Sequence, residues 1–184
     1  QAVMAKAAMY VEAPVSGSKK PAEDGTLVIL AAGSAALLEQ AQPLFDVVGK
    51  RTFTFAKTGQ GTQIKLVVNM LLGTLMSSFC EGLSLVKTLG MDPTQLLEVL
   101  EQGALQNPVF RFKGPNILNG AFSPAFPLKH MQKDMQLALE LGNAHHHPLP
   151  TISSANTAFQ RALRRGDGDL DFAAVWNAIQ AEQA

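Results

Sequence analysis

The chain has 184 residues, of which 47% are hydrophobic and 16% are charged, a composition typical of a globular protein with a substantial core. Fifteen basic residues balance fifteen acidic ones, so charge gives no reason to expect nucleic acid or a membrane surface as a partner. Cys80 is the single cysteine, which excludes an internal disulfide and agrees with a reducing compartment. The longest apolar run is interrupted by Asn69 and Gly73, and this does not favour a transmembrane span.

The first segment of the chain combines strand and helix patterns. Residues 26–32 form a continuous apolar run between two glycines, which predicts a strand covered on both faces. Shorter strands are predicted over 10–15 and over 51–56. In 51–56, polar and aromatic residues alternate as in a half-exposed edge strand. Ser34 is a predicted N-cap of a helix that ends near Gly49. Three strands and one helix are too few for an independent α/β domain, so we expect them to be the end of a larger sheet.

After residue 57 the strand patterns stop, and helical patterns continue to the end of the chain. Helices are predicted over 61–89, over 93–102 behind an Asp92 cap, over 128–141, from Ser153 or Ser154 to Gly166, and after Asp169 or Asp171. The stretch 106–127 is rich in Pro, Gly and Asn and is predicted to be a loop. The sequence therefore predicts an α/β segment over 1–57 and an all-α domain over 58–184.

The run from Gly59 to Asn69 carries the first candidate site. Lys65 and Asn69 are four residues apart, which places both on one face of a helix, and between residues 64 and 86 the only other charged residue is Glu81. Unpaired burial of a polar group costs about 2–7 kcal/mol, and a cleft that receives a polar small molecule would provide partners. Such clefts tend to form between domains, and this helix begins at the predicted boundary. The alternative is a lysine that extends to solvent and an asparagine satisfied in the core.

The same run does not contain a nucleotide-binding turn. A Gly-x-Gly-x-x-Gly motif that begins at Gly59 requires a third glycine at position 64, where the chain has Ile64. No other copy of this motif occurs in the 184 residues, so the chain holds no complete nucleotide site.

Ser16 and Gly17 follow the first predicted strand and form a second candidate site. A glycine there lets the backbone approach a ligand, and successive N–H groups together with a hydroxyl can hold a carboxylate. The alternative is an ordinary turn after a strand, which such residues also form.

Lys133 and Asp134 lie in the helix predicted over 128–141. Lys133 is a candidate contact for an anionic or nicotinamide portion of a cofactor, with Asp134 orienting its neighbours, and the alternative is a solvated helix face. Phe126, in the preceding loop, is either a core residue or a pocket wall. The histidines at 145–147 lack a surrounding pattern of further ligands, so no metal site is predicted.

Several of these runs match the sequence patterns of one family. They are Tyr-Val-Glu-Ala-Pro-Val-Ser-Gly-Ser-Lys-Lys-Pro-Ala-Glu-Asp-Gly (10–25), Val-Gly-Lys-Arg (48–51), Gly-x-Gly-x-x-x-Lys-x-x-x-Asn (59–69), Phe-Pro-Leu-Lys-His-x-x-Lys-Asp-Met (126–135) and Gly-Asp-Leu-Asp-Phe-Ala-Ala-Val (168–175). Together they resemble the β-hydroxyacid dehydrogenase family, which includes 3-hydroxyisobutyrate, tartronate semialdehyde and 6-phosphogluconate enzymes. Within it the chain is most similar to the plant and algal glyoxylate/succinic semialdehyde reductases, and the resemblance covers essentially the whole chain.

The resemblance implies a fold and a cofactor. Residues 1–57 would be the α/β end of a Rossmann-type NADP-binding domain, and residues 58–184 an all-α C-terminal domain for substrate binding and dimerisation. The implied cofactor is NADPH, which Lys133 would contact. The implied assembly is a homo-oligomer, either a dimer or a tetramer.

The resemblance also implies roles at the candidate sites. Lys65 would be the catalytic lysine, with Asn69 beside it in the substrate site. Ser16 and Gly17 would hold the substrate carboxylate. Two further residues would line or order the pocket, namely Phe126 and Asp134.

The implied reaction is hydride transfer from NADPH to a small aldehyde acid, such as glyoxylate or succinic semialdehyde, with Lys65 as the general acid. Two alternatives stay open at this point. One is oxidation of a β-hydroxy acid, as in a 3-hydroxyisobutyrate dehydrogenase, and the other is a non-catalytic oligomerisation module.

The chain departs from the family at its start. The family's glycine-rich β-α-β half has no counterpart here, and the first residues lack an initiator Met and resemble the tail of a helix. We therefore expect a fragment that is inactive in isolation. No signal peptide pattern is present, which predicts a cytoplasmic location and leaves a plastid or a mitochondrion open.

Overall fold

The structure, a computed structural model, describes residues 8–180, and the helix tail expected at the extreme N-terminus lies in residues 1–7, outside this range. The elements in chain order are β1 (Val15–Ser16), α1 (Lys19–Glu23), β2 (Leu27–Ala32), α2 (Ala35–Val48), β3 (Gly49–Phe55), α3 (Gln60–Thr88), α4 (Pro93–Gln102), α5 (Pro108–Leu118), α6 (Leu128–Ala144), α7 (Pro150–Arg164), two 3₁₀ turns (Asp167–Asp169 and Phe172–Ala174) and α8 (Val175–Gln180). An α/β segment is thus followed by helices, as predicted.

The described residues divide into two compact units, one that ends at Val68 and one that begins at Asn69. The division falls inside α3, later in the chain than the predicted domain boundary between residues 57 and 58. That boundary stays a prediction.

The first unit is built on a three-stranded sheet with β2 in the centre. β1 pairs antiparallel with β2, with Val15 opposite Ile29, whereas β3 pairs parallel with β2 after the α2 crossover. The apolar side chains of β2 become fully buried toward its carboxyl end, and Ile29 packs with Ala31 and Phe45 of α2 in one cluster. Burial on both faces explains why this strand could be recognised from a continuous apolar run.

The other elements of the first unit differ in detail from the prediction. The strand expected over 10–15 is reduced to a bridge between Glu12 and Ala32 and the two residues of β1. α1 was not predicted, because five residues are too few to show helical periodicity. Ser34 precedes α2 as expected, but its side chain makes no capping hydrogen bond.

α3 is the longest helix of the described residues, and polar side chains are buried along it. By length and composition alone it could cross a membrane, and among the described residues it is the one helix that could. The core helix of a soluble protein meets the same criterion. Asn69 and Ser77 are buried, as is Gly73, where an added Cβ would lie 2.5 Å from Met135 Sδ of α6. The absence of a membrane span stays a prediction.

The predicted loop over 106–127 is wrong, because α5 occupies its first half. Asn107 accepts a 2.7 Å hydrogen bond from the Val109 N–H, and Pro108 stands in the first turn, which is the same start that Asp92 and Pro93 give α4. Gly114 and Pro115 favoured the loop prediction, because glycine and proline are typical of loops. A Cβ at Gly114 would lie 2.7 Å from Leu97 Cδ2, so this glycine permits close packing of α5 on α4 and does not end the helix.

One end of α6 and one end of α7 also differ from the prediction. α6 continues past Gly142, which was the predicted stop, to Ala144. Gly142 is buried, and a Cβ there would lie 2.7 Å from Leu149 Cδ1, so its role is close packing. α7 begins at Pro150, earlier than the predicted serines, because Pro is tolerated in a first turn.

Candidate active site

Lys65 lies in the second turn of α3, and Glu12 holds the start of this helix. The Glu12 side chain is buried, and its carboxylate accepts hydrogen bonds from the N–H groups of Gly59 and Thr62, the latter at 2.5 Å. These N–H groups have no partner within a helix that begins at Gln60. Glu12 therefore caps the N-terminus of the helix that carries the predicted catalytic lysine.

The capping contacts decide the protonation of Glu12. Burial by itself would raise the pKa of this carboxyl, but the hydrogen bonds from the Thr62 side chain and from the N–H groups of Gly59 and Thr62 outweigh it and hold the pKa below its usual value. The carboxylate is therefore anionic at neutral pH, the charge that favours a helix N-terminus.

The Lys65 side chain is half-buried, and among the described residues its ammonium makes no hydrogen bond or ion pair. α3 runs without a break, so Asn69 follows one turn later on the same helix. An unpaired ammonium can bind or protonate a ligand oxygen.

Ser16 and Gly17 lie at the end of β1. Ser16 is half-buried and stands opposite Val28 in the sheet, and Gly17 is exposed. Gly17 has φ of +137°, and a Cβ there would lie 2.8 Å from Leu27 Cδ2, so the turn requires glycine. An exposed backbone without a side chain is the feature expected of a carboxylate contact, and it is equally compatible with a tight turn.

In the second unit, Asp134 connects two of the predicted site residues. It is buried, and its Oδ2 accepts a 2.6 Å hydrogen bond from Asn69 Nδ2. Its Oδ1 lies 2.7 Å from the ammonium of Lys133, whose side chain is 59% exposed. One N–H of the Asn69 amide thus donates to Asp134, and its second N–H and its Oδ1 remain for a ligand.

Phe126 is half-buried, and its backbone is held in place by residues near the chain end. Its N–H donates to Asp171 Oδ2 at 3.4 Å, and its carbonyl accepts from the Phe172 N–H at 2.9 Å. The two phenylalanine rings meet edge to face, with centroids 6.3 Å apart. Asp171 is itself buried and receives the Lys113 ammonium at 2.8 Å on both oxygens.

The structure thus describes the predicted residues in two groups. Ser16, Gly17 and Lys65 belong to the first unit, and Asn69, Phe126, Lys133 and Asp134 belong to the second. Direct contacts join Asp134 to both Asn69 and Lys133. The described residues contain no group of three or more His, Cys, Asp or Glu side chains that could hold a metal ion.

The sequence patterns did not indicate that three further residues hold the predicted site residues in place, namely Glu12, Lys113 and Asp171. Glu12 and Asp171 both lie within the runs that carry the family resemblance, which was the available signal. Their partners are far away in the sequence: Glu12 and Gly59 are 47 positions apart, and Lys113 and Asp171 are 58 positions apart, so no local spacing indicates the contacts.

Family models match the chain along nearly its whole length. A model of the NAD-binding domain of 6-phosphogluconate dehydrogenase matches residues 1–59. A second model, described as NAD-binding of NADP-dependent 3-hydroxyisobutyrate dehydrogenase, matches residues 59–179. The two matches follow each other in the predicted order.

Curated relatives include two reductases of Arabidopsis thaliana. Glyoxylate/succinic semialdehyde reductase 1 is 50% identical over 180 residues, which cover 98% of this chain and 62% of the relative. Glyoxylate/succinic semialdehyde reductase 2, chloroplastic, is 46% identical over 177 residues, which cover 96% of this chain and 49% of the relative. The chain therefore spans less than two thirds of the length of either relative.

Among solved structures, the 3-hydroxyisobutyrate dehydrogenase of Salmonella typhimurium superposes with a TM-score of 0.88 at 26% identity, over 96% of this chain and 62% of that one. This neighbour and the two family models confirm the predicted fold, the end of a Rossmann-type domain followed by an all-α domain. The chain belongs to the NADP-dependent 3-hydroxyisobutyrate dehydrogenase group of the β-hydroxyacid dehydrogenases, a family of NAD(P)-binding oxidoreductases.

Proposed function

We propose that the protein containing this chain is an NADPH-dependent reductase of small aldehyde acids, with glyoxylate and succinic semialdehyde as substrates and Lys65 as the general acid. The names of the two Arabidopsis relatives support the substrate class, at 50% and 46% identity. The single observation that carries the role of Lys65 is the unpaired ammonium of this half-buried residue, in the second turn of a helix whose start is fixed by Glu12.

NADPH, when bound, would supply a hydride to the carbonyl carbon of the substrate. Negative charge then develops on the carbonyl oxygen, and the Lys65 Nζ donates the proton that converts this oxygen to a hydroxyl. A positioned proton donor of this kind contributes typically about 10²–10⁴-fold to the rate. Asn69 would accept or donate a hydrogen bond one helical turn away, with its amide orientation fixed by Asp134.

The substrate carboxylate would be held by the Ser16 hydroxyl and the Gly17 backbone. Gly17 is exposed and has no Cβ, so an anion can approach its N–H closely. Phe126, held by Asp171 and Phe172, would offer an apolar surface to the carbon chain of the substrate.

Lys133 has the chemistry of a cofactor contact. Its side chain is 59% exposed, and one of its three donors is directed to Asp134, which leaves two for a polar group of NADPH. The sequence contains no Gly-x-Gly-x-x-Gly turn, so no phosphate contact of that type is assigned to this chain.

The test is the Lys65→Ala variant of the full-length protein. We expect kcat for glyoxylate and succinic semialdehyde to fall about 10²–10⁴-fold, because the developing alkoxide loses its proton donor, while the Kd for NADPH stays within about twofold. Lys57→Ala, which removes an exposed lysine just before α3, is the matched control and should leave kcat unchanged. Unchanged turnover in Lys65→Ala would refute the role of Lys65, and a wild type without turnover would favour a non-catalytic module.

A second candidate is oxidation of a β-hydroxy acid. The match of residues 59–179 to the NADP-dependent 3-hydroxyisobutyrate dehydrogenase model and the superposition on the Salmonella enzyme favour it. In that direction neutral Lys65 would accept the hydroxyl proton. Comparing kcat/KM for 3-hydroxyisobutyrate oxidation with that for glyoxylate reduction in one preparation decides between the two.

A further inference from the structure

The Glu12 carboxylate connects three parts of the first unit. Its backbone is fixed to β2 by two hydrogen bonds with Ala32, of 3.0 and 2.7 Å. Its side chain holds the first turn of α3 through Gly59 and Thr62. Four residues further on, Ser16 and Gly17 stand at the end of the same extended segment. One residue thus ties the strand that leads to the proposed carboxylate site to the helix that carries Lys65.

The start of α3 also has very little freedom to move toward the sheet. Gly61 is buried, and a Cβ at this position would collide with the Leu30 carbonyl oxygen and lie 3.4 Å from Glu12 Oε1. The helix therefore rests on the backbone of β2, and the Glu12 carboxylate holds it there from the side. Loss of the carboxylate would release the turn without removing the surface against which it packs.

The turn held by Glu12 is the one that Lys65 covers. Side chains on a helix lean toward its N-terminus and lie over residues three or four positions earlier. For Lys65 these positions are Thr62 and Gly61, so we expect the stem of the lysine to extend over the capped turn. A shift of that turn changes the location of the ammonium directly.

We propose that Glu12 is a positioning residue that fixes the first turn of α3 and through it the reacting position of the Lys65 ammonium. This inference rests on the proposed role of Lys65 as the proton donor. Glu12 itself touches neither substrate nor cofactor in this proposal. A misplacement of about 1 Å at a reacting group can lower a rate about 10²-fold, which sets the size of the expected effect.

The central variant is Glu12→Gln in the full-length protein, because it keeps the shape of the side chain and removes one acceptor and the charge. We expect kcat to fall about 10- to 100-fold while the Kd for NADPH stays within about twofold. In hydrogen exchange followed by mass spectrometry, peptides that cover residues 59–66 should exchange faster, and peptides from α4 should not change. Glu23→Gln, at an exposed glutamate of α1, is the matched control with no expected effect.

A double-mutant cycle separates positioning from general structural damage. If Glu12 acts through Lys65, adding Glu12→Gln to Lys65→Ala should lower the residual kcat less than twofold. Full additivity would overturn the inference, because the two residues would then act independently. A normal kcat in Glu12→Gln beside a strongly impaired Lys65→Ala would overturn it too, whereas full activity of Lys65→Ala would refute the proposed function itself.

Thr62→Val provides a second measurement if Glu12→Gln does not fold. Thr62 is exposed, and the substitution removes only the hydroxyl that hydrogen-bonds the Glu12 carboxylate. We expect kcat to fall about two- to tenfold, in the same direction as in Glu12→Gln and with the same faster exchange over 59–66. Unchanged kcat with faster exchange would show that the turn moves without affecting Lys65, and would overturn the inference.

Discussion

Two glycines of α3 differ in how closely other residues pack against them. Gly61 and Gly82 are both glycines within this helix, where glycine is unfavourable by about 1 kcal/mol relative to alanine. At Gly61 the absent Cβ leaves room for the Leu30 carbonyl oxygen, whereas at Gly82 the nearest atom, Leu96 Cδ2, would be 4.0 Å away. The neighbourhood of each missing Cβ therefore decides what a substitution does.

We predict that Gly61→Ala lowers the free energy of unfolding by about 3 kcal/mol or more, because a backbone oxygen cannot move aside as a flexible side chain can. Gly82→Ala is the matched control and should be neutral or stabilising by up to about 1 kcal/mol. Chemical denaturation of both variants measures the difference. Equal effects would show that α3 is free to move away from β2.

Glu12 makes the stability of the folded state depend on pH, and the direction of the dependence follows from its pKa. Its hydrogen bonds hold its pKa below the usual value of 4.5, so the folded state binds this proton more weakly than the unfolded state. The stabilisation is present above pH 4.5 and is lost as the pH falls below 4.5 and through the lowered pKa. We predict that the difference in Tm between the wild type and Glu12→Gln is constant near neutral pH and shrinks on acidification. A difference that is unchanged in acid would contradict the capping role.

At the scale of elements, one buried carboxylate joins three segments of the second unit. Asp171 accepts hydrogen bonds from Lys113 of α5, from Ala125 and Phe126 in the loop before α6, and from the Ala173 N–H of the following 3₁₀ turn. Lys113 is itself mostly buried, with 17% of its side chain exposed. Two residues earlier, Asp169 makes a similar ion pair with Lys129, but its side chain is 87% exposed.

We predict that Asp171→Asn destabilises the protein by about 3–5 kcal/mol, because the buried Lys113 ammonium loses its counter-charge. The substitution should also raise KM for the aldehyde acid, since the backbone of Phe126 loses an anchor. Asp169→Asn, the matched control, should leave both stability and KM unchanged because an exposed pair contributes little. Thermal unfolding and steady-state kinetics measure the two effects, and identical results for the two variants would contradict them.

At the scale of the whole molecule, α3 presents an apolar stripe that is not covered by the described residues. Ile64, Val67, Val68 and Leu71 recur at helical spacing and are between 39% and 60% exposed. Contiguous apolar surface of this kind is typical of protein interfaces. We therefore propose that the protein forms the homo-oligomer expected from its sequence, and that this stripe contributes to the contact.

We predict that Leu71→Glu shifts the full-length protein to a lower mass in size-exclusion chromatography with light scattering, because a charge would be buried in the interface. Leu71 is the most exposed residue of the stripe, at 60%. Gln95→Glu, which places the same charge at an exposed polar position of α4, away from the stripe, is the control and should leave the mass unchanged. A monomeric wild type would refute the proposal directly.

The sequence by itself determined the elements whose signals are local. β2 was recognised because burial on both faces requires a continuous apolar run, and α4 because Asp92 and Pro93 supply a cap and a preset first turn. The order of an α/β segment before helices and the membership of the family also followed from local runs of residues. The spacing of Lys65 and Asn69 on one helix required nothing beyond helical geometry.

Only the tertiary structure decided which residues hold these elements in place. Glu12 accepts a hydrogen bond from the Gly59 N–H, Asn69 donates one to Asp134, and Lys113 donates one to Asp171. These partners are between 47 and 65 positions apart, so no sequence periodicity indicates the contacts. Glycine is the second example, because the sequence pattern indicates a loop at Gly114 and a helix end at Gly142, although each lies within a helix. The sequence alone does not distinguish a glycine that ends a helix from one that makes room for a neighbouring side chain. The atoms that a Cβ at that position would meet distinguish them.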